Sequence, residues 1–197
     1  MVVIEVGANN GNDTARWLDD DNAVVYAFEP APEMYLHLKN RFVGFENYFP
    51  MPVAVDTTDG WQWFNIASGG GWGCSSLHEF NPKIHELWEG RPDFKVTERI
   101  RVPTMRLDTF MNTFKIEKVD FLWIDAQGND LRVLESLGDR FRDIDAGMVE
   151  VAYEVNLYDG VDNSHSSVGK WLDDNGFGYD LTPHNHKKEA DIIFWKK

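Results

Sequence analysis

Val2-Val3-Ile4-Glu5-Val6-Gly7-Ala8-Asn9-Asn10-Gly11-Asn12-Asp13-Thr14 is the stretch whose reading decides the fold. Residues 2–6 form a mostly β-branched apolar run of strand length, and the polar residues beyond it lead into a helix that begins near Asp13-Thr14. Gly7 and Gly11 let the backbone turn sharply between the two, and the helix start offers N–H groups to whatever approaches. The rhythm repeats at residues 23–28, where Phe28 is followed by Glu29-Pro30 and a second helix with Pro32 at an early position. Trp17 and Leu18 on the first helix, and Met34, Leu36 and Leu38 on the second, are the expected inward contacts. Strand, helix, strand, helix implies a parallel sheet covered on both faces.

The pattern continues outward. A third strand over residues 48–55 carries Pro50 and Pro52, which suits an edge position. Residues 61–67 and 95–104 read as an inserted β-hairpin. Between them, residues 68–76 (Ser-Gly-Gly-Gly-Trp-Gly-Cys-Ser-Ser) are too glycine-rich for regular structure and long enough for a mobile functional loop. A helix over 107–114 precedes a strongly apolar strand at 119–124, which ends on Asp125; Leu131, Val133, Leu134 and Leu137 form the next helix, closed by Gly138. Strands at 148–153, 178–181 and 191–195 and a helix at 167–174 complete a doubly wound α/β fold in one domain, residues 1–197. Its ligand belongs beyond the carboxyl ends of the central strands.

Composition narrows the function classes. With 43% hydrophobic and 14% aromatic residues the chain of 197 can bury a real core. Its 33 acidic against 19 basic residues give a net charge of −14, which repels phosphate backbones and counts against a nucleic-acid partner. No run reaches the ~18 apolar residues of a membrane span. The single cysteine, Cys74, cannot form an intrachain disulfide, so a reducing, cytoplasmic setting is the expectation.

After the first strand the glycine spacing is G-x-x-x-G, whereas a dinucleotide clamp needs G-x-G-x-x-G, which counts against a nucleotide-dependent oxidoreductase. Glu29, at the end of the second strand, can accept hydrogen bonds from both ribose hydroxyls of an adenosine-containing ligand; its plainer reading is a helix-capping acid. Together these features imply an adenosine cofactor.

Residues 3–11, then Tyr26-Ala27-Phe28-Glu29-Pro30, then Ser75-Ser76-Leu77, then residues 119–128 ending Ile124-Asp125-Ala126-Gln127-Gly128, resemble the ordered motifs of the FkbM-type S-adenosylmethionine-dependent methyltransferases over nearly the whole chain. The resemblance implies a seven-stranded, mostly parallel, Rossmann-like methyltransferase sheet. It implies Glu5, Gly7, Asn9, Gly11 and Thr14 near the methionine part of S-adenosyl-L-methionine and Glu29 at the ribose. It implies Ala54, Val55 and Asp56 near the adenine, with Asn10, Pro30, Ser75, Asp125, Ala126 and Gln127 completing the cofactor set. Two positions depart from the family pattern: Trp123 replaces a lysine, and Gln127 replaces a glutamate and so removes a charge from the site. The first strand starts at residue 2, so the chain reads as a minimal enzyme or as a domain of a longer one.

Methyl transfer to a hydroxyl requires an aligned oxygen and a destination for its proton. Asp125 is the leading catalytic candidate, with cofactor binding as its other reading; Glu150 and His165 are the further ones. Glu150 and Glu154 share a strand face by period two and, with Asp125, could hold Mg²⁺ or Mn²⁺. His184-Asn185-His186 reads as a surface turn. Trp61, Trp63, Tyr153 and Tyr158 read as core or as acceptor-pocket walls, and Trp72 as an acceptor contact. The expected activity is O-methylation of a small molecule or glycan, a sugar by preference; a cofactor-binding regulatory protein without turnover is the alternative.

Overall fold

The computed structural model describes residues 1–20, 22–67, 72–91 and 94–197. Part of the expected glycine-rich loop, residues 68–71, lies outside the described residues, as does the side chain of Trp72.

Apolar runs at Val2–Val6 (β1), Val24–Phe28 (β2) and Phe121–Ile124 (β7) build the parallel centre of the main sheet. With Tyr48–Met51 (β3), Ala146–Ala152 (β8), Phe177–Pro183 (β9) and Glu189–Lys196 (β10), the order is β3-β2-β1-β7-β8-β10-β9, seven strands in all. Only β10 runs antiparallel to its neighbours β8 and β9. The doubly wound, mostly parallel sheet is as expected.

Strand alternation supplies both layers. Ile4, Val6, Leu122, Ile124, Val149 and Val151 face Leu107–Thr113 (α4), Asp130–Glu135 (α5) and His165–Asp174 (α6). Val3, Val25 and Ala27 face the opposite way, against Leu18 of Ala15–Leu18 (α1) and Leu38 of Pro32–Arg41 (α2). Leu36 is 57% exposed, because α2 buries only a narrow stripe around Leu38; the expected contact there is not made.

The expected third strand is two strands in two sheets. Pro52 has no N–H to continue a ladder, and past it Ala54–Val55 (β4) leaves β3 and pairs with Val96–Met105 (β6). Gly60–Ala67 (β5) pairs antiparallel with β6 to complete a three-stranded sheet, the expected hairpin with one strand added. On β5 the alternation turns Phe64 and Ile66 inward, leaving Trp61 and Trp63 61% and 50% exposed. They are neither core nor acceptor wall. The short helix Ile84–Leu87 (α3) and Phe94 pack against Leu157 and Tyr158. Among the described residues, no helix is long and apolar enough to cross a membrane.

Gly147 of β8 sits where the sheet leaves no room for a side chain. A Cβ there would lie 2.3 Å from the Leu122 carbonyl and 2.4 Å from the Phe194 ring, whereas one at Gly44 meets nothing within 4 Å. Urea unfolding should show Gly147→Val losing roughly 1–3 kcal/mol or more and Gly44→Ala staying within about 0.5 kcal/mol of the parent. Equal effects would contradict this packing.

Candidate active site

The loops after β1, β2 and β7 meet at the carboxyl edge of the sheet. Gly7, at φ 88°, and Ala8 both donate their N–H groups to the Phe28 carbonyl at 3.0 Å. A Cβ on Gly7 would sit 1.8 Å from the Asp125 carbonyl oxygen, so only glycine lets the first loop lie against the third. The backbone then turns at Asn9, whose N–H donates to Glu29 Oε2 at 2.8 Å, while the Ala31 N–H donates to Oε1 at 2.8 Å. Glu29 is only 6% exposed, and burial pushes its carboxyl up to about 7 against the pull of those two N–H groups. Each Glu29 oxygen accepts one backbone N–H, as a capping acid does, and keeps another lone pair.

Glu5, Asn10, Gly11, Thr14 and Asp56 of the expected cofactor set do not line this cleft. Glu5 is buried beneath the loop, where it accepts a hydrogen bond from Thr14 Oγ1, and burial raises its carboxyl to about 8. Gly11 faces Phe42 and Leu38, whose atoms a Cβ would meet at 2.5 and 2.8 Å; its glycine serves packing under α2. Asn10 turns outward, accepting from the Asn12 N–H and, through its carbonyl, from Arg41.

Beyond β7 the chain passes through Gln127 at φ 51° and Gly128 at φ 90°. Asp130 fastens this turn, accepting from the N–H groups of Ala126 (2.6 Å) and Gly128 (3.0 Å) and from Asn163 Nδ2 (2.9 Å). Asn129 ties it to the second sheet through the Val55 carbonyl at 2.8 Å and His78 Nε2 at 2.8 Å. Tyr158 sets the Gln127 side chain, because its hydroxyl donates to Oε1 at 2.6 Å. The amide nitrogen then faces two carboxylates, Asp125 Oδ1 at 2.6 Å and Glu150 Oε2 at 3.2 Å. A glutamate at 127 would add a third negative charge to that pair. Burial holds both Asp125 and Glu150 above the usual carboxylate range, and the repulsion of Asp125 raises Glu150 further.

These residues frame two adjoining spaces. The first is an open cleft lined by the polar residues Asn9, Glu29, Ser75, Asp125 and Gln127, by Gly7, Pro30 and Ala126, and by the apolar Val53, Ala54, Val55, Phe64 and Leu77. Its mixed lining suits a small-molecule cofactor. The apolar side chains fit a flat base, and the carboxylates fit hydroxyls and a cationic group. The second lies between Trp88, Arg91, Phe94, Tyr158, Glu150 and Glu189. Gly73 and Gln127 border both.

Two expected residues stand apart. Glu154 is exposed, because β8 ends at Ala152 and the chain bends before period two can align 154 with 150; the set Asp125, Glu150 and Glu154 is not assembled. His165 opens α6 beside the Tyr153 ring, 5.1 Å away, and lines neither space. The reading from sequence missed Asn129, Asp130, Trp88, Arg91, Phe94 and Glu189. Asn129-Asp130, after a glycine and before an apolar helix, was a legible turn-capping signal; the others come from distant segments with no motif between them.

Comparison with known proteins follows this geometry. The 2-O-methyltransferase NoeI of Sinorhizobium fredii is 26% identical over 139 residues; the match covers 68% of this chain and 56% of the relative, so the chain spans about half that protein's length. The solved methyltransferase FkbM from Methylobacillus flagellatus superposes with a TM-score of 0.57 at 10% identity, covering 98% of this chain and 43% of that one. Aeropyrum pernix fibrillarin, solved with natively bound S-adenosyl-L-methionine, superposes with a TM-score of 0.56 at 13% identity, covering 98% and 65%. Residues 5–179 match the family model described as the methyltransferase FkbM domain, and the chain belongs to that family of methyltransferases.

Proposed function

We propose that the protein is an S-adenosylmethionine-dependent O-methyltransferase that methylates a hydroxyl of a small molecule or glycan, a sugar being the favoured acceptor. One observation carries the reading: the cleft holding Glu29 and the aromatic, acid-lined space beside it meet at Gln127, where Asp125 and Glu150 converge. The family supports methyl transfer, and the 2-O-methyltransferase among its relatives supports oxygen as the acceptor. When bound, S-adenosylmethionine supplies a methyl group already activated by a sulfonium leaving group. The protein's own task is alignment and proton removal. Glu29 anchors the ribose, while Ala54 and Val55 flank the base. The Asp125 and Glu150 carboxyls, tied through the Gln127 amide, stand where the acceptor's proton has to go. Trp88, Phe94 and Tyr158 offer ring faces and Glu189 a hydrogen-bond acceptor to a hydroxyl-rich acceptor.

Calorimetry with S-adenosylhomocysteine tests the cofactor assignment: Glu29→Ala should weaken binding about tenfold or more, the scale of a lost charged hydrogen bond. No binding by the parent protein, or binding only of NAD, removes the proposal. Asp125→Asn keeps an oxygen for Gln127 and should lower methyl transfer to sugar acceptors by about 10²-fold or more while leaving the unfolding midpoint close to the parent's; unchanged turnover takes Asp125 out of the chemistry.

The buried acids also set the sign of the pH dependence. In the folded protein Glu29 and Asp130 hold their protons to about 7 and Glu5 to about 8, whereas an unfolded chain has lost them near the ordinary carboxyl values. The folded state binds more protons across that window, so stability falls as pH rises through it. Without ligand, thermal unfolding should occur at a lower temperature at pH 8 than at pH 5.5. An equal or higher midpoint at pH 8 would show that these carboxyls ionise freely in the fold.

A further inference from the structure

The turn between β9 and β10 carries His184-Asn185-His186, and the sheet carries these histidines to the acceptor side of the site. Antiparallel pairing aligns Asp191 of β10 with Glu150 of β8, and period two places Glu189 on the same face as Asp191. The His184 N–H donates to the Glu189 carbonyl at 2.9 Å, which holds the turn against the strand. His184 Nε2 lies 3.1 Å from Asp191 Oδ1. One donor atom each from Glu150, His184 and Asp191 falls within 4.8 Å of the other two.

We propose that Glu150, His184 and Asp191 bind one divalent cation of the Mn²⁺ class at the edge of the second space. An octahedral ion with bonds of ~2.1 Å spaces its donor atoms about 3 to 4.2 Å apart, so the three groups need only a small contraction to close on it. One imidazole with two carboxylates is a hard, mixed N/O set that suits Mn²⁺ better than the thiolate-preferring metals. Charge points the same way. Glu150 and Asp191 stand side by side here, and the charges of Asp125 and Glu189 act on Glu150 from nearby.

The other histidine is less suited. His186 Nδ1 accepts the Lys188 N–H at 3.1 Å, which leaves the proton of the neutral ring on Nε2. Its Nε2 faces Glu189 at 3.8 Å and its ring packs 4.4 Å from Trp88, a wall position.

Three protein donors leave coordination positions open toward the second space, which Glu150 lines. Two neighbouring hydroxyls of one acceptor fit those positions. This last step rests on the methyltransferase reading; the cation site itself does not.

The test is titration of the metal-stripped full chain with Mn²⁺ alone, following loss of the free-ion electron paramagnetic resonance signal. The parent should bind one Mn²⁺ per chain, His184→Ala and Asp191→Asn should each weaken binding about tenfold or more, and Glu154→Gln should bind as the parent does. No binding by the parent, or parental affinity in both His184→Ala and Asp191→Asn, overturns the site. Thermal unfolding without metal identifies a misfolded variant, in which case the other one decides. Calorimetry with S-adenosylhomocysteine on the same sample separates the two proposals. Cofactor binding without Mn²⁺ binding removes the cation site alone, and Mn²⁺ binding without cofactor binding supports it while removing the methyltransferase reading.

Discussion

The approach of the first loop to the third, closer than any side chain allows, is the constraint on which the site depends. β1 and β7 are paired in register up to Val6 and Ile124, so their loops leave the sheet side by side. With no Cβ at Gly7, the backbone settles against the Asp125 carbonyl and aims two N–H groups at Phe28 and a third at Glu29. One missing methyl group therefore sets the distance between Glu29 and Asp125. Substitution there would push apart the loops that place Glu29 and Asp125, whatever the affinity of either residue.

Electrostatics supplies the second layer of the account. Several carboxyls converge at the site, burial raises them above the usual carboxylate range, and amides are inserted between them. Gln127 is the clearest case. Its nitrogen bridges Asp125 and Glu150 because Tyr158 occupies its oxygen, where a third carboxylate would add repulsion. A positively charged ligand entering such a site gains from every acid it meets, which is the physical sense of a net charge of −14 concentrated in part at strand ends.

The main sheet was legible because its central strands are buried on both faces and must be continuous apolar runs. Glu29 was legible as a cleft residue because it stands just past a strand end, where this kind of sheet opens its crevice. Periodicity tells which residues share a face but not which sheet the face belongs to, and so residues 48–55 read as one strand although Pro52 divides them between two. The same limit misplaced Glu154, which period two aligns with Glu150 only while the strand continues, and the ladder ends at Ala152. Trp61 and Trp63 read as core or pocket wall, yet the inward positions of β5 belong to Phe64 and Ile66. The second space was invisible for another reason: Trp88, Phe94 and Tyr158 converge through tertiary packing across about 70 residues of chain, and no local pattern records that.

If the two spaces are successive halves of one reaction path meeting at Gln127, a crystal structure with S-adenosylhomocysteine bound will show it. The ribose hydroxyls should lie on Glu29, the base beside Ala54 and Val55, and the sulfur at the opening between Gln127 and Glu150, facing Trp88 and Tyr158. A ligand lying reversed in the cleft, or a sulfur turned away from the second space, would contradict the account.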